Sequence, residues 1–191
     1  MTPYIIVLIV IPAVLLALEL GLMIRDGVRG KGTTTSDKGT RLLNFLAISI
    51  GIGAAAGLAS LRGADFPGAK TGPVLFAGAA VALAGMLLRY WSVFTLGASF
   101  RTTIETDRDQ KVVSTGPYRL LRHPSYSGLL LVCLGYGLSV QNWLSLLAAF
   151  LLPLIALLYR IQVEEKILAA ALGAEYLAYQ KRTKRLVPWI W

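Results

Sequence analysis

Apolar residues fall into five stretches along the chain, separated by short polar segments. Three are nearly uncharged and come close to the roughly 20 apolar residues that a helix needs to span a bilayer: Tyr4–Met23, Leu42–Leu61 and Pro73–Leu88. Two shorter stretches, Ser127–Leu138 and Trp143–Tyr159, flank a polar turn at 139–142 and predict a helical hairpin. The pattern predicts an all-α membrane bundle of five transmembrane helices whose last two form the hairpin.

Composition and charge strengthen this prediction. Of the 191 residues 15% are charged, whereas soluble domains carry about a quarter. Seventeen of the 19 basic residues lie in alternate inter-helix segments. By the positive-inside rule, the N-terminus then faces outward and the C-terminus the cytoplasm, in the inner membrane if the source is prokaryotic. The net charge of +9 therefore indicates orientation and does not indicate a nucleic-acid partner, and membrane lipids are the expected surroundings.

The pattern divides into two parts of a single folded unit. Residues 1–98 are predicted to form a three-helix membrane region, and residues 99–191 a catalytic region with a cytoplasmic loop, the hairpin and short C-terminal helices. Small residues at helical spacing in spans two and three, such as Gly53, Gly57, Gly78 and Gly85, predict dense packing inside the bundle. A single cysteine, Cys133, and a single histidine exclude the usual zinc sites, so no metal is expected. The sequence leaves the oligomeric state open.

Polar chemistry gathers where the fourth apolar stretch begins. Arg119, Arg122 and His123 directly precede Pro124. A residue before proline is disfavoured in the helical region, so His123 is expected at the helix cap and Pro124 at the first helical position. The first-turn amides would then be unpaired, and with the helix dipole they would attract a carboxylate or phosphate. Arg119 alone is more typical of a membrane anchor.

A second polar group follows the last span. Arg160 ends the apolar stretch, and Glu164 and Glu165 come one turn later. Arg160 and Glu164 share a helix face, so a salt bridge between them is the plain structural interpretation, although acids at the mouth of an apolar bundle usually serve a function. Gly173 is expected to end this helix, and residues 175–184 are expected to form a short amphipathic helix. In span one, Glu19 is interpreted mainly as a side chain that reaches Arg25 or water.

Three segments together resemble the isoprenylcysteine carboxyl methyltransferase family, within the wider group that includes the phospholipid methyltransferases. They are "GPYRLLRHPSYSG", "RIQVEEKIL" and "GAEYLAYQKRTKRLVPWIW". They occur in order from about Gln110 to the C-terminus, whereas the first three spans resemble that family only in being apolar. The resemblance implies an integral membrane enzyme that uses S-adenosylmethionine without a glycine-rich nucleotide-binding fold. A lipophilic small molecule or prenylated cysteine would reach it from the bilayer.

Site residues carried over from the resemblance are matched by position. The implied cofactor-binding residues are Gln110, Lys111, Val112, Val113, Tyr118, Arg122, His123, Pro124, Ser125, Tyr126 and Glu164. Arg160 matches the position that faces the acceptor carboxylate, and Thr103 a further contact. Methyl transfer to a carboxylate needs no general base, so orientation by Arg160 and a water-poor site would suffice. An amine acceptor would need deprotonation, for which Glu165 or His123 would be the candidates.

Several functions stay open on the sequence. The first is a carboxyl methyltransferase acting on an isoprenylcysteine-like acceptor, with Arg160 and Glu165 as candidate catalytic residues. The second is N-methylation of a phosphatidylethanolamine-type headgroup, and the third is nicotinamide-dependent reduction of a lipid or sterol by an enzyme with a similar C-terminal pattern. The fourth is a non-catalytic lipid-binding or transport protein, which the concentration of polar residues on one side disfavours.

Overall fold

A computed structural model describes residues 3–29, 39–61, 63–67, 72–97 and 112–191. The described residues contain five α-helices and one 3₁₀ turn, at Gly116–Arg119. The helices are α1 (Pro3–Arg29), α2 (Thr40–Leu58), α3 (Gly72–Leu96), α4 (Pro124–Val140) and α5 (Trp143–Arg182). This confirms the all-α prediction and the hairpin, which consists of α4 and α5.

Four of the described helices are apolar and long enough to cross a membrane, namely α1 from Val7, α2, α3 and α5. The fourth helix along the chain, α4, has 17 residues and is shorter. Before its kink at Gly173, α5 runs straight over residues 143–172 and extends about 45 Å at 1.5 Å per residue, longer than the roughly 30 Å hydrocarbon core of a bilayer. Its apolar first part, Trp143–Tyr159, therefore suits the membrane, and the polar part from Arg160 onward extends beyond it.

Glycines bring α3 and α4 into backbone contact. Gly78 and Gly85 of α3 face Gly135 and Gly128 of α4, and a Cβ on any of the four would lie 2.4–2.7 Å from backbone or side-chain atoms of the other helix. These four residues are called the glycine seam below. Dense packing was predicted for Gly78 and Gly85 and is confirmed. For Gly53 and Gly57 it is wrong, because both are exposed on α2 and a Cβ there would meet nothing within 4 Å.

Two breaks in regular backbone shape the C-terminal half. Gln141 adopts a left-handed conformation (φ 60°), and the Asn142 side chain then caps α5 by accepting from the Ser145 amide at 3.1 Å. Gly173 has φ 56° and ψ −132°, which a glycine tolerates readily. It kinks α5 at the position where the sequence predicts an end, so the stretch beyond Gly173 forms a separate helical arm.

The third helix extends further than its apolar stretch. The apolar stretch predicted for span three ends at Leu88, whereas α3 continues to Leu96, so Arg89 lies within the helix and is 9% exposed. Its Nη2 atom lies 2.6 Å from Oε1 of Glu19 on α1. Glu19 was expected to reach mainly for Arg25 or water, and the structure shows that it also pairs with a buried cation of a neighbouring helix.

Candidate active site

The start of α4 forms one wall of the candidate site. His123 is the residue before the helix (φ −124°, ψ 52°) and Pro124 is the first helical residue, as the histidine–proline pair predicts. The His123 side chain is 3% exposed, and its ring lies parallel to that of Tyr126, with the ring centroids 5.4 Å apart. The cap thus fixes an imidazole and a phenol side by side.

The expectation of unpaired first-turn amides is wrong for Tyr126. The amides of Tyr126 and Ser127 donate to the His123 carbonyl at 3.0 and 3.1 Å, so a tight turn satisfies an amide that a regular helix would leave open. The Ser125 carbonyl and hydroxyl accept from Nη1 of Arg89 at 3.1 and 2.8 Å. At the helix start, the Tyr126 amide and the Ser125 hydroxyl therefore have partners within the protein.

Glu165 is held by cations from two sides. Arg122 Nε donates to its Oε1 at 2.8 Å, Arg185 Nε donates to its Oε2 at 3.0 Å, and His123 Nε2 lies 3.3 Å from Oε1. Burial alone would raise the pKa of Glu165, but hydrogen bonds from His123, Arg185 and Arg122 lower it to about 2. A carboxylate so stabilised is a weak base, and this geometry favours a structural role for Glu165.

Arg122 also ties the C-terminal segment to the site. Its Nη1 donates to the Gln180 and Thr183 carbonyls, and its amide donates to the Lys184 carbonyl at 2.7 Å. Ser127 Oγ donates to the Leu186 carbonyl at 2.6 Å. The segment after α5 therefore lies against the start of α4, and Arg122 closes the site from that side.

Glu164, the neighbour of Glu165, belongs to a different network. Tyr126 donates its hydroxyl to Glu164 Oε2 at 2.7 Å, and Arg160 Nε donates to the same hydroxyl at 2.8 Å. Arg160 is 3% exposed, and its Nη1 donates to the Thr40 hydroxyl of α2 at 2.9 Å. The Tyr126 hydroxyl thus bridges the arginine and the acid, which the sequence interpretation expected to pair with each other.

The two glutamates differ in access as well as in partners. The Glu164 side chain is 23% exposed and that of Glu165 is 7% exposed. The Glu164 carboxylate is therefore accessible to an amino group or to hydroxyl groups of a bound molecule. The structure brings together most of the candidate residues that it describes, namely Arg122, His123, Pro124, Ser125, Tyr126, Arg160, Glu164 and Glu165.

The remaining candidates lie at or beyond the edge of this cluster. Tyr118 is buried in the 3₁₀ turn, where its carbonyl accepts from the Tyr179 hydroxyl at 2.8 Å. Val112 and Val113 are half-buried in the segment leading to that turn. Gln110, Lys111 and Thr103 lie outside the described residues.

Sequence reasoning missed three contacts to the site, made by Thr40, Arg89 and Arg185. Thr40 and Arg89 come from the predicted three-helix membrane region at residues 1–98, yet they contact Arg160 and Ser125. Arg89, a cation directly at the end of an apolar stretch, is the one signal that could have indicated an internal role. Thr40 and Arg185 carry no comparable signal.

The chain matches one family model and several known proteins. A family model described as phospholipid methyltransferase matches residues 74–175. Protein-S-isoprenylcysteine O-methyltransferase B of Arabidopsis thaliana is 32% identical over 115 residues, 59% of this chain and 58% of that protein. The protein-S-isoprenylcysteine O-methyltransferase of Saccharomyces cerevisiae is 33% identical over 59% of this chain and 48% of its own length.

A solved structure also matches. It is described as the eukaryotic intramembrane Ras methyltransferase, isoprenylcysteine carboxyl methyltransferase. The TM-score is 0.58 and the identity 29%, over 61% of this chain and 43% of that one. The chain spans about half the length of the relatives it matches. These matches confirm the resemblance carried by the C-terminal motifs.

Proposed function

Because this chain belongs to the phospholipid methyltransferase family, we propose that it is a membrane-embedded methyltransferase that uses S-adenosylmethionine and a lipophilic acceptor. The acceptor group that fits best is the carboxylate of an isoprenylcysteine-like molecule. The proposal is carried by the network in which the Tyr126 hydroxyl joins buried Arg160 to accessible Glu164. The Tyr126 hydroxyl thus links Arg160, a cation that can bind the acceptor, to Glu164, an anion that can bind the methyl donor.

The cofactor pocket is assigned to the Glu164 side of the network. When bound, S-adenosylmethionine supplies an electrophilic methyl group next to a sulfonium charge. The partly exposed Glu164 carboxylate suits its amino group or ribose hydroxyls, and the stacked His123 and Tyr126 rings offer an aromatic face. Tyr118, Val112 and Val113 would border the same pocket. These residues fit the cofactor because they combine a partly exposed carboxylate with aromatic rings whose positions are fixed by packing.

The acceptor is assigned to the Arg160 side. Arg160 is 3% exposed, and a buried guanidinium can hold a carboxylate in place, because charge interactions strengthen where water is excluded. Arg160 orients the attacking oxygen, and no proton needs to be removed from a carboxylate. The protein's contribution is then proximity and desolvation.

N-methylation of a phospholipid amine is the less favoured function. An ammonium acceptor must lose a proton, and Glu165, with its pKa of about 2, is poorly suited to accept it. A buried arginine next to the reacting group would also repel an ammonium. For orientation, we propose that the C-terminal polar segments face the cytoplasm, in line with the distribution of basic residues.

The test is calorimetry of the detergent-solubilised full chain with S-adenosylhomocysteine and, separately, a nicotinamide dinucleotide. We expect binding of the first only, and at least a tenfold loss of affinity in Glu164→Gln. Glu175→Gln, which changes an exposed glutamate beyond the kink, is the matched control and should bind as the unmodified chain does. Binding of the dinucleotide instead, or an unchanged affinity in Glu164→Gln, would contradict the proposal.

A further inference from the structure

The chain returns to the start of α4 after the kink in α5. The helical arm beyond Gly173 ends against the residues that precede α4, where Arg122 Nη1 donates to the Gln180 carbonyl at 3.1 Å. Further along, Ser127 Oγ donates to the Leu186 carbonyl at 2.6 Å. Ser127 lies in the first turn of α4, an apolar helix. The segment that follows the arm therefore lies at the level where the hydrocarbon region begins.

Residues 186–191 form a tight turn, called the aromatic turn below, that exposes large apolar side chains. The Val187 amide donates to the Trp191 carbonyl at 3.0 Å, and the Trp191 amide donates to the Val187 carbonyl at 3.2 Å. Trp189 has φ 63°, a left-handed conformation that residues other than glycine seldom adopt. Trp189 is 83% exposed and Ile190 is 76% exposed. A hydrogen-bonded turn thus presents two large apolar side chains outward, and tryptophan is typical of the membrane–water interface.

Exposed cations lie beside the aromatic turn and come from two segments of the chain. Backbone hydrogen bonding joins these segments, since the Lys184 amide donates to the Leu120 carbonyl at 3.0 Å. The acid nearest to them in the candidate site, Glu165, is already paired with Arg122 and Arg185, so it does not neutralise them. The exposed cations, called the basic cluster below, are Arg119, Lys181, Arg182 and Lys184.

Arg185 fixes the aromatic turn relative to the candidate site. Its guanidinium lies over the Trp191 ring, 5.0 Å from the ring centroid, and its Nε donates to Glu165 Oε2 at 3.0 Å. The turn is therefore held in one orientation by a stacked cation and an ion pair. Trp189 and Ile190, which make neither contact, remain available to another molecule.

We propose that the aromatic turn and the basic cluster form a binding surface for anionic phospholipids. Trp189 and Ile190 enter the interfacial layer of the bilayer, and the basic cluster binds the headgroup phosphates. An exposed apolar tip at the level of the hydrocarbon boundary favours a lipid, and the adjacent cations favour an anionic one, because each basic residue near an anionic surface strengthens association about fivefold. This inference is independent of the proposed function, since it involves neither a methyl donor nor an acceptor.

The test measures contact between the aromatic turn and lipid in the full chain. Cys133 is buried in α4, so Ile190→Cys can be labelled selectively with a nitrobenzoxadiazole dye. The labelled chain is reconstituted in phosphatidylcholine vesicles that contain increasing amounts of spin-labelled phosphatidylcholine or, separately, spin-labelled phosphatidylglycerol. A spin label near the headgroup end of the acyl chain quenches the dye on contact, and the slope of quenching against lipid fraction reports the local concentration of each lipid.

Two further labelling positions calibrate the measurement. Leu87 of α3 is 62% exposed, and its neighbour Arg89 contacts Ser125 at the start of α4, so Leu87→Cys reports lipid at the same level. Glu175 is an exposed acid just beyond the kink, and Glu175→Cys reports water. We expect quenching at Ile190→Cys to approach that at Leu87→Cys and to exceed that at Glu175→Cys clearly.

The choice of lipid tests the basic cluster. At Ile190→Cys, we expect a slope about threefold steeper for phosphatidylglycerol than for phosphatidylcholine, which is less than the effect of one basic residue at an anionic surface. Adding Lys181→Gln, Arg182→Gln and Lys184→Gln together should bring the ratio of the slopes to about one. Lys166→Gln, which alters an exposed lysine of α5 outside the cluster, is the control and should leave the ratio unchanged. High salt should also reduce the ratio, because it screens exposed charges.

Three results would overturn the proposal. Quenching at Ile190→Cys as weak as at Glu175→Cys would place the turn in water. Equal slopes for the two lipids, or a ratio that survives the triple substitution, would remove the preference for anionic headgroups. Energy transfer between labelled copies in place of quenching by lipid would assign the surface to a second copy of the chain.

Discussion

Replacing Glu165 with glutamine should destabilise the fold. The carboxylate is 7% exposed and pairs with Arg122, which is 9% exposed, and with Arg185, which is 34% exposed. Removing one partner of a buried ion pair costs about 3–5 kcal/mol. In the variant, the Arg185 side chain can turn towards water, and Arg122 keeps its hydrogen bonds to the Gln180 and Thr183 carbonyls. The cost therefore falls at the lower end, about 3 kcal/mol, or about 6–12 °C in Tm for a chain of this size.

The neighbouring glutamate provides the matched comparison. Glu164→Gln alters a side chain that is 23% exposed and whose Tyr126 partner can still donate to the amide oxygen. We expect its Tm to shift by less than about 3 °C, in keeping with the small worth of exposed charges. Thermal unfolding in one detergent, followed by circular dichroism, measures both variants. Equal shifts, or a Glu165→Gln shift below about 2 °C, would refute a structural role for Glu165.

Two further outcomes follow from the same networks. Arg160→Gln should leave S-adenosylhomocysteine affinity within about threefold and lower kcat by about a hundredfold, the cost of a misplaced reacting group; a loss of cofactor affinity instead would move Arg160 to the cofactor side. The pKa of Glu165 is lowered from 4.5 to about 2, so its contribution to stability is full above about pH 4.5 and is lost as the pH falls towards 2. The acid-induced drop in Tm should therefore be smaller in Glu165→Gln, and an identical drop in both proteins would contradict this.

Local signals in the sequence predicted local structure well. Pro124 predicts the start of α4, Gly173 a helix end at the position where α5 kinks, and the apolar stretches the five helices, because each depends on backbone preferences or hydropathy within a few residues. The pairing of Glu19 with Arg89 could not be predicted in this way. It depends on which helices become neighbours, and the contact joins residues 70 positions apart.

The sequence also could not predict that the two glutamates have different partners and different accessibility. Glu164 and Glu165 are adjacent and chemically identical, and a helix turns about 100° between them. That rotation directs one towards Tyr126 and the other towards Arg122 and Arg185. Only the arrangement of α4 and the C-terminal segment around α5 determines which acid is accessible and which is locked.

The glycine seam has a mechanical consequence. The backbones of α3 and α4 are in contact along the glycine seam. The two helices cannot separate without losing close packing along their shared length, so they move as one rigid unit. In α1, only 11% of the apolar window is buried, which leaves that helix far less tightly attached. We therefore expect motions within the bundle to displace α1 first, while α3 and α4 move together and hold the start of α4 in place.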